Sequence, residues 1–118
     1  MRVPSHPTQI RRMLHSRLQR LVPTGPVLAA SLTRLNKRCG QPSCSCHKGG
    51  PLHQAHHLTF KEQGKTRTLY VPQDLVEEVR TWVQEYQRLK GLIQEVSQLA
   101  RALIRGHVAH RRLRRGRR

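Results

Sequence analysis

Apolar residues between positions 8 and 21 recur every three or four residues: Ile10, Leu14, Leu18 and Leu21, with Met13 beside them. That spacing predicts a helix from Thr8, a plausible N-cap, to Leu21. Its other face carries Arg11, Arg12, Arg17 and Arg20, and Pro23, Gly25 and Pro26 end it. Val27–Arg38 reads as either a strand or a short helix. From His57 the pattern changes to that of a hairpin. His57–Phe60 forms one arm, Lys61–Lys65 the turn with Gly64 at positive φ, and Thr66–Val71 the second arm before Pro72. Gln73 to about His110 reads as one long helix. Its apolar seam is Leu75, Val79, Trp82, Tyr86, Leu89, Ile93, Val96, Ala100, Leu103 and His107, alternately four and three residues apart. Such a heptad seam predicts pairing, either with a second chain as a coiled coil or with the first helix.

These elements make a small α+β module. Residues 1–26 form a basic amphipathic helix and linker, 27–72 a zinc loop with a β-hairpin, 73–110 the long helix, and 111–118 a disordered Arg-rich tail. The chain has 118 residues, 36% hydrophobic and only 3% aromatic, so a large self-sufficient core is not expected. A metal, an oligomer interface or a bound partner should supplement it. No apolar run is long enough to span a membrane, and the N-terminus lacks the apolar core of a signal peptide.

Charge changes the picture most. The net charge is +17, and it is uneven. Residues 1–38 hold eight basic residues and no acid, and residues 105–118 hold seven arginines and no acid. Residues 73–104 are close to neutral, with four basic and five acidic residues. Cationic ends of this strength point to a phosphate backbone. A solubilising charge is the bland reading, but solubility is usually met with mixed signs and far smaller net charge. A mitochondrial presequence is the rival reading of the basic start, and it does not account for the basic C-terminus. Candidate phosphate contacts are Arg11, Arg12, Arg17, Arg20, Lys37, Arg38, Lys48, Lys65, Arg67, Arg105, Arg111, Arg112, Arg114, Arg115, Arg117 and Arg118. Scarce aromatics argue against a stacking platform, so backbone and shape contacts should dominate. No helix-turn-helix spacing is evident, which places RNA ahead of DNA.

The chemistry-bearing cluster is Cys39-Gly-Gln-Pro-Ser-Cys44-Ser-Cys46, followed by His47, His53, His56 and His57. Three cysteines cannot close a disulfide framework. Three thiolates and one imidazole suit a structural zinc ion. His47 is adjacent to Cys46, which strains a tetrahedron. His53 follows a Gly49-Gly50-Pro51 turn that can fold the chain back, and so completes the expected set Cys39, Cys44, Cys46 and His53. Reduced structural cysteines, a redox pair and a catalytic zinc are the alternatives. The last lacks a general base, since Glu62 is the only acid nearby and sits in a turn. No catalytic residue is assigned, and no enzyme activity is expected.

The order Cys39-Gly40-Gln41-Pro42-Ser43-Cys44-Ser45-Cys46, then His53, Gly64-Lys65-Thr66 and Tyr70-Val71-Pro72, resembles a bacterial family of short uncharacterised proteins. Its signature is C-G-x-P-x-C-x-C, followed by a histidine and a Gly-Lys-Thr…Tyr-Val-Pro hairpin. The resemblance covers roughly residues 31–93. It implies the same metal ligands, and genes encoded beside transposases. The stretch His53-Gln54-Ala55-His56-His57 departs from the family pattern, which has Gly-Pro and two aromatics there. The resembled family has no settled function; with the charge pattern, the expected role is a nucleic-acid-binding component of a bacterial ribonucleoprotein or mobile-element complex, cytoplasmic and associated with the nucleoid or with ribonucleoprotein. The rival role is an adaptor that self-associates, or docks on a transposase or nuclease, through residues 75–103. No membrane partner is expected.

Overall fold

The computed structural model describes residues 1–116. Helix α1 spans Pro7–Gln19, strand β1 Ser31–Lys37, β2 His53–Glu62, β3 Lys65–Val71, and helix α2 Val76–Gly116. Short 3₁₀ turns occupy Ser45–Lys48 and Gln73–Leu75. The α+β class therefore holds, with a third strand where the sequence left strand and helix open.

The chain divides into two compact units. The first unites residues 1–24 with α2 from Gln87 onward; the second is Gly25–Tyr86. In the first unit α1 runs antiparallel to α2. Arg17 pairs with Glu95 at 3.4 Å, and Arg88 donates to the carbonyls of Arg20 (2.8 Å) and Val22 (3.0 Å). Arg88 thus supplies donors to the carbonyl of the C-cap Arg20, which the end of α1 leaves without a helical partner, and to a carbonyl of the loop that follows. Ile10, Leu92 and Leu99 are buried here. The cap of α1 is His6, whose Nδ1 accepts from the Thr8 N–H, with Pro7 in the first turn. The helix starts one residue earlier than the pattern suggests because Pro7 has its φ already set for a helix.

The second unit is a three-stranded antiparallel sheet in the order β1-β2-β3, with the start of α2 on one face. Alternation along β2 sends His56, Leu58 and Phe60 to that face, where Leu58, Val71, Val76 and Val79 form the core. Leu28, Ala30, Leu32, Trp82 and Val83 pack around it. The hairpin turn is tighter than the sequence suggests. Glu62 pairs with Lys65, so only Gln63 and Gly64 turn the chain, both at positive φ (52° and 79°). That is the geometry of a two-residue turn matched to strand twist. Edge strands β1 and β3 carry Arg34, Lys37, Lys65 and Arg67, charges that discourage strand pairing with another chain.

Two further expectations are corrected. The seam of α2 is shifted. Val79, Trp82, Tyr86, Leu89, Val96 and Leu103 are buried or half-buried as expected, but Leu75, Ile93, Ala100 and His107 are exposed. Val76, Leu92 and Leu99 are buried in their place. The helix carries two neighbouring apolar rows, and packing chose between them. The arginine-rich end is also not a coil, since α2 continues to Gly116. Arg and Leu favour helix, and cations suit a helix C-terminus. Arg117 and Arg118 lie outside the described residues. No helix among the described residues is long and apolar enough to cross a membrane.

Candidate metal centre

The site is built at one end of the sheet. Lys37, the last residue of β1, is paired with His53, the first residue of β2. Cys39 follows two residues after Lys37, so sheet register brings it beside His53. Between them the chain folds on itself in a chain of tight turns. Pro42 sits inside the first, closed by the Cys44 N–H donating to the Gln41 carbonyl at 3.1 Å. The His47 N–H donates to the Cys44 carbonyl, and the Gly50 N–H to Ser45 at 2.8 Å. Gly49 takes the left-handed conformation (φ 83°) that ends the 3₁₀ turn. Gly50 is needed for space, because a Cβ there would lie 2.7 Å from the Ser45 carbonyl oxygen.

These turns gather Cys39, Cys44, Cys46 and His53 so that their donor atoms all lie within 4.8 Å of one another. The Cys39 and Cys46 sulfurs are 3.6 Å apart, and Cys44 Sγ is 3.2 Å from His53 Nε2. Cys46 is buried, Cys39 and Cys44 are half-buried, and His53 is exposed. One metal ion can therefore touch all four donors. Backbone amides support the thiolates. The Cys39 N–H donates to Cys46 Sγ at 3.4 Å. Cys44 is lowered to about 6 by hydrogen bonding from the Cys46 backbone, then from His53 and the other two cysteines. Cys39 is raised. The Gln41 backbone lowers it, but burial and the neighbouring Cys44 and Cys46 outweigh that.

His47 has a different job, for which its sequence neighbourhood gave no signal. Its Nε2–H donates to the Cys39 carbonyl at 2.7 Å, bracing the loop from outside the cluster. His56 faces the sheet core opposite Val71. His57 lies on the other face, edge-on to Tyr70 at 5.9 Å between ring centroids.

The candidate phosphate contacts scatter over both units. Arg11, Arg12 and Arg20 are exposed on α1. Arg17 is half-buried and tied to Glu95, so it is not a free cation. Lys37, Arg38 and Lys48 surround the metal loop, while Lys65 and Arg67 lie on β3; all five are exposed. Arg105, Arg111, Arg112, Arg114 and Arg115 are exposed along the last turns of α2.

No curated protein and no solved structure matches the chain. A family model described as a domain of unknown function, DUF6788, matches residues 9–81. The match starts inside α1, which the motif resemblance left out, and stops at Thr81, short of the expected residue 93. It takes in all four clustered donors and the whole sheet. Spanning more than half of the chain, it places this protein in the DUF6788 family of uncharacterised domains.

Proposed function

We propose that the protein is a non-enzymatic, zinc-stabilised nucleic-acid-binding module. Zinc fits the donor set, since three thiolates and an imidazole in a closed cluster are structural-zinc chemistry. A tetrahedral ion with Zn–S of about 2.3 Å separates its sulfurs by roughly 3.7 Å, close to the 3.6 Å between Cys39 and Cys46. Bound there, zinc would hold the Cys loop against the sheet end, in a domain whose core is small.

The observation that carries the nucleic-acid reading is the helical unit. Its only acid among the described residues is Glu95, and Arg17 engages it. Arg2, Arg11, Arg12, Arg20, Arg105, Arg111, Arg112, Arg114 and Arg115 are exposed and form no ion pair among the described residues. The antiparallel run of α1 and α2 places Arg11 beside Leu103, His107 and His110, so the two cationic ends of the sequence meet at one end of the unit. Phosphate contacts of this kind do not tell RNA from DNA. The preference for RNA rests on the missing helix-turn-helix pattern alone. Membership of a bacterial ribonucleoprotein or mobile-element complex rests on the motif resemblance. A salt titration of binding to RNA and duplex DNA tests the reading. Affinity should fall steeply with salt, and absence of binding at low salt would refute it.

The adaptor reading keeps one specific support. Ile93 and Ala100, two residues of the seam that the sequence offers for association, are exposed on α2 in a row with Ile104. Concentration-dependent self-association without nucleic-acid affinity would favour it.

A further inference from the structure

Arg34 and Arg80 are not among the phosphate contacts that the sequence suggests, because no pattern along a single element shows that they meet. Arg34 on β1 is the register partner of His56 on β2, so both side chains leave the sheet on the face that α2 covers. Arg80 follows Val79, which packs into the core on that face. Leu32, Arg34, His56 and Arg80 line one pocket of about 190 Å³, wholly within the sheet unit. Among the described residues no carboxylate lines it. Glu77 Oε2 lies 3.7 Å from Arg80 Nε, beyond hydrogen-bond reach, and its side chain is 86% exposed. Arg34 and Arg80 are both exposed. His56 is only 9% exposed, and its Nδ1 is buried with no hydrogen-bond partner. Native structures rarely leave such an atom unpaired. A core histidine beside two solvated arginines is the plain alternative. A water molecule would satisfy the imidazole, but it would not offset two guanidinium charges lining the same small space.

We propose that Arg34, His56 and Arg80 form a binding site for a single phosphate group. The inference deepens the nucleic-acid reading, and rests on it for the source of that phosphate, a nucleic-acid backbone. A free phosphate offers the same oxygens, and the test separates the two. Guanidinium forks match phosphate oxygens, and the ring N–H of His56 adds a third donor group. Donors arriving from β1, β2 and α2 suit a tetrahedral oxyanion better than a planar carboxylate with two oxygens. The pocket is smaller than the roughly 300–1,000 Å³ that holds a drug-sized ligand. It has room for a phosphate group and not for a nucleoside. Such a contact fixes where a strand lies on the sheet unit without reading its bases.

The test uses the full chain loaded with zinc, with the histidine rings followed by heteronuclear NMR. Inorganic phosphate should shift the His56 ring signals saturably, and chloride at equal ionic strength should not. Arg34→Gln and, separately, Arg80→Gln should weaken phosphate binding about tenfold each, as loss of a charged hydrogen-bond donor. Lys90→Gln, which removes one exposed charge elsewhere on α2, should leave it unchanged. Circular dichroism and zinc content identify any variant that has not folded. A DNA duplex and an RNA single strand are then titrated at low salt. At least one should shift the same His56 signals, and both arginine variants should lose that shift. A response to inorganic phosphate with nucleic acid bound elsewhere, leaving His56 unmoved, would overturn the backbone as the source. Nucleic-acid binding with no response of His56 to any probe would overturn the site and leave the nucleic-acid reading in place. A response to inorganic phosphate with no nucleic-acid binding would overturn that reading and keep the site.

Discussion

A Cβ at position 50 would press against the Ser45 carbonyl, so Gly50→Ala should open the loop even though alanine is nearly as small as glycine. The expected outcome is less than one zinc per chain by elemental analysis. Among the candidate ligands the structure separates two neighbouring histidines. His53→Ala should weaken metal affinity about tenfold or more, as loss of one of four donors. His47→Ala should retain the metal stoichiometry and lose only the brace on Cys39. Equal loss in the two variants would refute the assignment. The lowered Cys44 thiol makes a related prediction for the metal-stripped protein. With a pKa of about 6 it is mostly thiolate at pH 7, whereas Cys39 is raised and stays protonated. Alkylation followed by peptide mass mapping should therefore label Cys44 before Cys39 at neutral pH. The difference should shrink as pH rises above both values.

At the scale of elements, α2 offers two apolar rows that differ by one residue. Leu92 is buried and Ile93 is 56% exposed. Leu92→Asp should therefore unfold the helical unit, since a buried unpaired charge costs several kcal/mol. Ile93→Asp should leave the thermal midpoint nearly unchanged. If the exposed row docks a partner or a second copy, the same Ile93→Asp variant should lose that association in sedimentation. If Leu92→Asp is tolerated and Ile93→Asp unfolds the chain, the seam is in the phase that the sequence pattern suggested. The hairpin carries a smaller residue-to-element effect. Gln63 occupies positive φ, so Gln63→Asn should raise stability by several tenths of a kcal/mol, measurable by denaturant titration.

Charge belongs to the molecule as a whole. The helical unit is cationic on its exposed surface. Replacing Arg111, Arg112, Arg114 and Arg115 with Gln keeps the end of α2 helix-forming while removing its charge. If half of them touch phosphate, the slope of log K against log salt should fall by about 1.4 to 1.8. Zinc content should not change, because the metal loop is in the other unit. An unchanged slope would move the phosphate contacts away from this end.

The sequence by itself determined what depends on local chemistry. Cys39, Cys44, Cys46 and His53 were legible as a donor set because a Gly-Pro-rich loop brings close only what is near in the chain. The hairpin and both helices were legible because alternation and helical spacing are set by backbone geometry. The tertiary structure decided what depends on distant partners. β1 became a strand because β2 residues, from His53 opposite Lys37 to Thr59 opposite Ser31, complete its hydrogen bonds from beyond the Cys loop. Arg17 left the set of free cations because Glu95, far along the chain, lies beside it. The phase of α2 followed from which row the sheet and α1 could bury, a choice that two adjacent apolar rows leave open in one dimension. The open face of the sheet exists only because α2 covers the other, and no pattern within a strand says which of its two faces will be covered.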